Sequence, residues 1–399
     1  MRWRMKTIQG LQRMFLWLAL GALVGCAGRQ AIPLRVYPLA FDAIPPGLGR
    51  LEMLDADGKA VRTLFDRRAL QGAVTLEWDG RDAKGKTLPS GEYDFRLVTT
   101  SYRLDPLADF GGVGSSPGRF LAPRGLSAAP QGARLTLAVA DTGNHRVQLL
   151  TDTGAPLQTA GQFGVGEGRL NQPTAVHWDG QILTVCDSQN RRLARFDSGG
   201  GYLGEVRRLT GTFPESTPNA PRDFRRPTDL LPSDGGTFWV SDPANGTLSR
   251  ITPSGGLLSY LGGGAPLDLA GPLLRWPDGT FWLAGDHGVL RRLEEDGTVR
   301  DNLKVPDLGK VGGMALGDGF ALVADERTGK LFLLDRDGQV FGVKTLAGVE
   351  RPGALALFQD RLFVVDVERT RIHAYRLTRE EREYKRTVTV DAAGTPESR

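Results

Sequence analysis

Six times along the chain a short apolar run ends at an aspartate: LTLAVAD, ILTVCD, TFWVSD, FWLAGD, ALVAD and RLFVVD. Each is followed by a few polar residues, often with Asn or Gly, and then by a second apolar run such as RVQLL or RLARF. Runs this short, bounded by turn formers, predict buried strands rather than helices. The anchor residues Asp141, Asp187, Asp242, Asp286, Asp325 and Asp366 are separated by 46, 55, 44, 39 and 41 residues. A period of that size is the mark of a propeller.

The order inside each unit is constant. A Pro or Gly step leads into a short strand (FLAPRGLS, LNQPTAVHW, FRRPTDLL, GGAPLDLA, VGGMALG, ERPGALAL). A second strand ends at the Asp, a third starts at Val147, Leu193, Leu248, Leu290, Leu331 or Ile372, and a Gly turn such as TDTGA or DRDGQ leads to a fourth. Four antiparallel strands repeated radially make propeller blades. Blade six lacks its Gly turn, whereas residues 104–120 carry an outer-strand pattern with no blade before them. Residues around Leu104 to Phe110 are therefore expected to pair with blade six and close the ring. The charged residues 378–399 are expected to be a tail.

The units resemble NHL repeats, most closely at Pro123 to Gln148, where a Pro-containing step, a strand ending in Ala-Asp and Thr-Gly-Asn-His-Arg-Val follow in order. The resemblance covers residues 104–377 and implies a six-bladed propeller of a kind that mostly serves as a binding platform. Residues 31–103 have a different rhythm. GRLEMLDADGKAVRTLF and VTLEWDGRDAKGKTLPSGEYDFRLV read as strands around tight turns, and the tract WDGRD…GKTLPSGEY resembles the immunoglobulin-like domain of flagellar hook-capping proteins. That resemblance implies a small β-sandwich with Trp78 and Tyr93 in its core and Asp79, Gly80, Pro89 and Gly91 in its turns. The expected fold is thus all-β: a six-bladed, NHL-like β-propeller preceded by a small Ig-like sandwich.

The first 25 residues read as a signal peptide, with Arg2, Arg4, Lys6 and Arg13 before the apolar run MFLWLALGALVG. The end, Leu23-Val24-Gly25-Cys26, resembles a bacterial lipobox. This implies that Cys26 is lipidated, that residues 26–30 form a linker, and that the chain is held on a membrane outside the cytoplasm. Ala27 resembles sorting to the outer membrane of the cell envelope. Without these four basic residues the formal charge of +4 falls to about zero, which removes the case for a nucleic-acid partner. Of two cysteines, Cys186 lies in a strand, so no disulfide framework is expected.

Chemistry competes with architecture at the aspartates. A ring of six carboxylates could bind metal, but an Asp at a strand end also accepts backbone N–H bonds and closes a turn, and a catalytic group need not recur in every blade. Arg146, Arg192 and Arg371, five residues after their Asp, are expected to pair or stack between blades, with Lys330 in a similar place. The four histidines, His145, His177, His287 and His373, show no short metal-ligand spacing, and no GxSxG or P-loop is present. Departures from the repeat carry more. An insertion at residues 207–227 brings Arg222, Arg225 and Arg226, which with Arg124 would form a basic patch near the channel on the face of the Asp turns. Asp229 and Asp268 occupy matching inner-strand positions, either facing the channel or hydrogen-bonded structurally. The expectation is a non-catalytic binding module for a protein or glycan, without cofactor. The alternative is a metal-assisted lyase or lactonase with calcium or zinc in the channel.

Overall fold

The structure, a computed structural model, describes residues 36–390 apart from 214–220, 263–266, 268–270 and 297. The signal segment, Cys26, the linker and Asp268 lie outside the described residues.

Five sheets of four antiparallel strands follow one another, and a sixth sheet completes the ring. The inner strands are Gly125–Gln131, Pro173–Trp178, Asp229–Ser233, Leu273–Arg275, Val311–Leu316 and Pro352–Phe358. Blade four corrects the sequence reading: its inner strand is Leu273–Arg275, and GGAPLDLA precedes it. In the second strand of blade one, Leu137, Ala138, Val139 and Ala140 are all fully buried. Neighbouring blades cover both faces of such a strand, so its apolar run is continuous instead of alternating. Apolar clusters fill the space between each pair of neighbours, including one from Phe363 and Val365 of blade six to Leu137 and Val139 of blade one. The inner strands approach closely. A Cβ on Gly312 would lie 1.9 Å from the Pro352 carbonyl oxygen and one on Gly313 would lie 2.2 Å from that of Gly353. Only glycine fits there.

The ring closes as expected. Strand β3 (Gly91–Gly111) supplies the outer strand of blade six, with Leu104 opposite Leu377 and Phe110 opposite Ile372. Of residues 378–399, expected to be a tail, 378–390 are strand instead, and 391–399 lie outside the described residues. The C-terminal strand runs unbroken over Arg371–Val390, and its second half pairs with β3 from Thr378 opposite Arg103 to Val390 opposite Gly91. Its charges are accommodated in register: Arg103 meets Glu380 at 3.3 Å, and the Thr387 hydroxyl donates to Asp94 at 2.7 Å. Val388 and Val390 are buried in the Ig-like core.

That core is built by bent strands. β1 (Tyr37–Leu54) and β2 (Ala60–Trp78) pair along their length, with bulges near Ile44 and Leu51. Beyond the bends, β1 also pairs with β3, so residues such as Leu39 and Phe41 pack across from Leu51, Phe95 and Val388. Trp78 is fully buried, as expected, and Tyr93 packs against the same cluster. The Ig-like unit also touches blade five: Leu48, Ala69 and Tyr102 join the cluster of Phe320 and Phe341, and Asp335 accepts the Ala69 N–H at 2.8 Å.

Candidate functional site

The strands set the polarity of the molecule. β3 and the C-terminal strand meet the blade-six Asp turn at Gly111 and Arg371, where the Gly112 N–H donates to Thr370. From there they run through blade six and past its opposite face into the Ig-like unit. The face that carries the turns after the anchor aspartates, here called the Asp face, therefore points away from that unit.

The five anchor aspartates with described side chains are at most 1% exposed, and each closes its own blade. Asp141 accepts the Leu121 N–H (2.7 Å), Asp187 that of Asn171 (2.7 Å), and Asp242 those of Arg225 (2.7 Å) and Arg226 (2.9 Å). Asp325 accepts Gly309 N–H (2.9 Å), and Asp366 accepts those of Glu350 (2.8 Å) and Arg351 (3.2 Å). Each of these donors lies on the loop that leads into the inner strand of the same blade, and Asp325 and Asp366 also accept N–H groups of the turn that follows them. Buried carboxylates satisfied in this way are structural joints. The arginines behave differently from the sequence expectation, since they pair within a blade. Arg146 Nε meets Asp141 at 2.8 Å, Arg192 Nε meets Asp187 at 2.7 Å, and Arg371 pairs with Asp109 on the adjoining outer strand. A side chain leaving the first residue of the third strand is opposite the Asp and reaches it directly.

Neighbouring blades are joined by ion pairs such as Arg361–Asp152 and Arg336–Asp278, and beside the anchor aspartates by hydroxyl groups. The Thr142 hydroxyl donates to the Pro173 carbonyl at 2.6 Å and the Ser188 hydroxyl to that of Pro227. Blade three has Pro243 at the matching position. There Asp229 makes the bridge, accepting the Leu273 N–H of blade four at 3.1 Å and its neighbour Leu230 N–H at 2.9 Å. Burial pushes its carboxyl above the usual range, with the two N–H bonds opposing.

The histidines are dispersed over blades one, two, four and six. His145 occupies a left-handed turn position (φ 54°), its Nδ1 accepts the Gln172 N–H at 3.1 Å, and its ring centroid lies 4.7 Å from that of Phe163. His177 packs edge-on against Phe238 and His373 Nε2 lies 3.8 Å from Asp366; burial pulls both imidazoles below their usual range. The His287 carbonyl accepts a bond from Lys304. Among the described residues no group of three or more His, Cys, Asp or Glu side chains is gathered that could hold a metal.

The arginines of the insertion are placed on the Asp face through the backbone bonds of Arg225 and Arg226 to Asp242. Both side chains are exposed, as is Arg124, and none of the three has a partner among the described residues. Arg222 is half-buried, with its guanidinium 4.4 Å from the Phe213 ring centre and Nη1 3.3 Å from the Gly211 carbonyl. It is part of the insertion's own packing. At positions matching Arg226, blades five and six carry Lys310 and Arg351, which are paired with Glu326 (2.7 Å) and Glu368 (3.4 Å).

Residues 46–102 match the FlgD Ig-like domain family. The Ig-like expectation holds for that part of the chain. Solved structures similar to the chain include a streptogramin B lyase, at 12% identity over 70% of this chain and 98% of that one, with a TM-score of 0.46. The selenomethionine-substituted virginiamycin B lyase from Staphylococcus aureus is 11% identical over 70% of this chain and all of that one, with a TM-score of 0.45. A protein of unknown function from Bacteroides caccae is 14% identical over 59% and 83%, with a TM-score of 0.44. No curated protein matches the sequence.

Proposed function

We propose that the protein is a non-catalytic envelope lipoprotein, anchored through Cys26, whose propeller presents its Asp face to an anionic protein or glycan. One observation carries this reading: Arg124, Arg225 and Arg226 stand exposed, without a partner among the described residues, on a face whose five described anchor carboxylates are engaged in holding the loops. Cationic groups free of partners are available to an anion without breaking any existing bond.

The direction of the chain supports the anchoring. Tyr37 packs on Trp78, with centroids 5.4 Å apart, and Trp78 also meets Tyr93, at the end of β3 farthest from the propeller. An N-terminal lipid would thus tether the Ig-like end. At about 3.3 Å per residue, β3 would hold the Asp face up to roughly 65 Å from that end.

Crosslinking in the native cell, followed by mass spectrometry, tests the binding face. Crosslinks to a partner are expected with the native chain and are lost in the Arg225→Ala/Arg226→Ala variant; crosslinks that persist unchanged overturn the reading. Anchoring is tested separately, because a Cys26→Ala chain that stays in the membrane fraction contradicts it. The metal-assisted alternative predicts stoichiometric calcium or zinc in the purified chain, lost on Asp229→Ala.

A further inference from the structure

Among the described residues, the three most exposed large apolar side chains are Val165, Val113 and Phe163, at 73%, 72% and 65%. All three stand on the Gly-rich loops that lead into blades one and two, FGGVGSSPGRF and QFGVGEGRL, and Leu121, 43% exposed, joins them at the end of the first loop. Val113, Leu121 and Phe163 flank the blade-one turn, and Val165 stands on the loop fastened to the blade-two turn. The Asn144 side chain donates to the Gly114 carbonyl next to Val113 (2.8 Å), the Gly143 N–H donates to Leu121 (2.8 Å), and Phe163 lies against His145. Val165 follows Gly164, whose carbonyl accepts from Asn190 at 2.9 Å.

These loops are held firmly. Arg146, fixed by Asp141, also donates to the carbonyls of Ser115 (2.6 Å), Ser116 (3.0 Å) and Arg119 (3.0 Å). Arg192, fixed by Asp187, donates to those of Gly166 (2.9 Å) and Arg169 (2.6 Å). Apolar tips displayed on a loop that is already ordered lose little conformational entropy on binding. Exposed apolar side chains grouped on two neighbouring loops in this way mark an interaction site.

We propose that this crown is a docking surface for an acidic protein segment bearing apolar side chains. The proposal rests on the reading of the Asp face as a binding face. Charge selects the occupant. Arg119 and Arg169 are exposed on the same two loops as the tips, where Glu167 is the one acidic residue. The crown also points away from the end where the chain would be tethered, which favours a protein over the anchoring membrane.

The test selects short peptides from a displayed random library on the full chain in detergent, then measures them against two variants. Peptides rich in Asp or Glu and in large apolar residues are expected, weakened at least about ten-fold by Val113→Ser/Phe163→Ser/Val165→Ser. Unchanged thermal unfolding of that variant is expected, since the tips are in solvent, and it separates lost binding from lost folding. Dependence on Arg225→Ala/Arg226→Ala alone overturns the crown and leaves the binding face standing. Indifference to both variants, or no selected peptide, overturns the crown, and the binding face is then decided by the crosslinking test alone. Vesicles containing phosphatidylglycerol serve as the competing probe, and binding to them that requires the three tips overturns the protein occupant.

Discussion

Arg192 places its Nε 2.7 Å from the Oδ2 of Asp187, with both side chains at most 1% exposed. The same guanidinium reaches Glu205 on the outer strand and the carbonyls of Gly166 and Arg169 on the loop ahead of blade two. One ion pair thereby joins three strands of a blade to its leading loop.

Removal of one partner should be costly, because the other charge stays buried. Arg192→Met is expected to lose about 3–5 kcal/mol in urea unfolding. The Asp187→Ala/Arg192→Met pair should lose less than the sum of the single variants, since the second change removes the stranded charge. By contrast, Arg225→Ala/Arg226→Ala should stay within about 0.5 kcal/mol of the native chain, because only their backbone N–H groups meet Asp242.

Gly312→Ala forces a Cβ onto the backbone of blade six. Backbone cannot rotate away as a side chain can, so the strands must separate. A loss of about 1–3 kcal/mol is expected in urea unfolding. An alanine at Gly58, where a Cβ meets nothing within 4 Å, is the control for the substitution itself, with φ 77° as its separate backbone strain.

Asp229 is expected to give the protein a specific pH signature. Its folded carboxyl titrates above the ordinary aspartate range because burial disfavours the charge. The folded state then holds a proton that the unfolded state has released. The stability from this group is complete below the unfolded value and is lost as pH rises through the folded one. Asp229→Asn keeps an acceptor for the Leu273 N–H without the charge, so relative to the native chain it should gain stability as pH rises through that window. Urea midpoints measured at several pH values check this; a constant difference would show that the carboxylate is not strained by burial.

Truncation after Leu377 should unfold the Ig-like unit while leaving the propeller. It removes Val388 and Val390 from that core and bares the edge of β3 from Gly91 to Arg103. Limited proteolysis is expected to cut within β1 and β2 of the shortened chain and to spare the blades. Protection equal to that of the native chain would mean that the C-terminal strand is dispensable.

The blades were legible because the physics acting on them is local. A second strand covered on both faces must be continuously apolar, the turn after it needs an acceptor for N–H groups, and both leave a pattern within ten residues. Even ring closure could be read, since residues 104–110 carried an outer strand without a blade. The tail was misread for the opposite reason. Arg379 to Arg386 look solvated one residue at a time, and only pairing with β3, nearly three hundred residues earlier in the chain, turns them into a strand. The apolar tips Val113, Phe163 and Val165 were visible as letters between glycines, yet their exposure depends on which way the loops are fastened.

The sequence by itself determined the strand count of each blade, the recurrent Asp joint and the Ig-like character of the N-terminal unit, because short-range burial and turn chemistry require those residue types. The tertiary structure alone decided that two long strands are shared by both units, that Asp229 bridges blades three and four, and that the unpaired arginines lie on the face opposite the Ig-like end. Those relations depend on contacts between residues far apart in the chain, which local patterns of polarity do not encode.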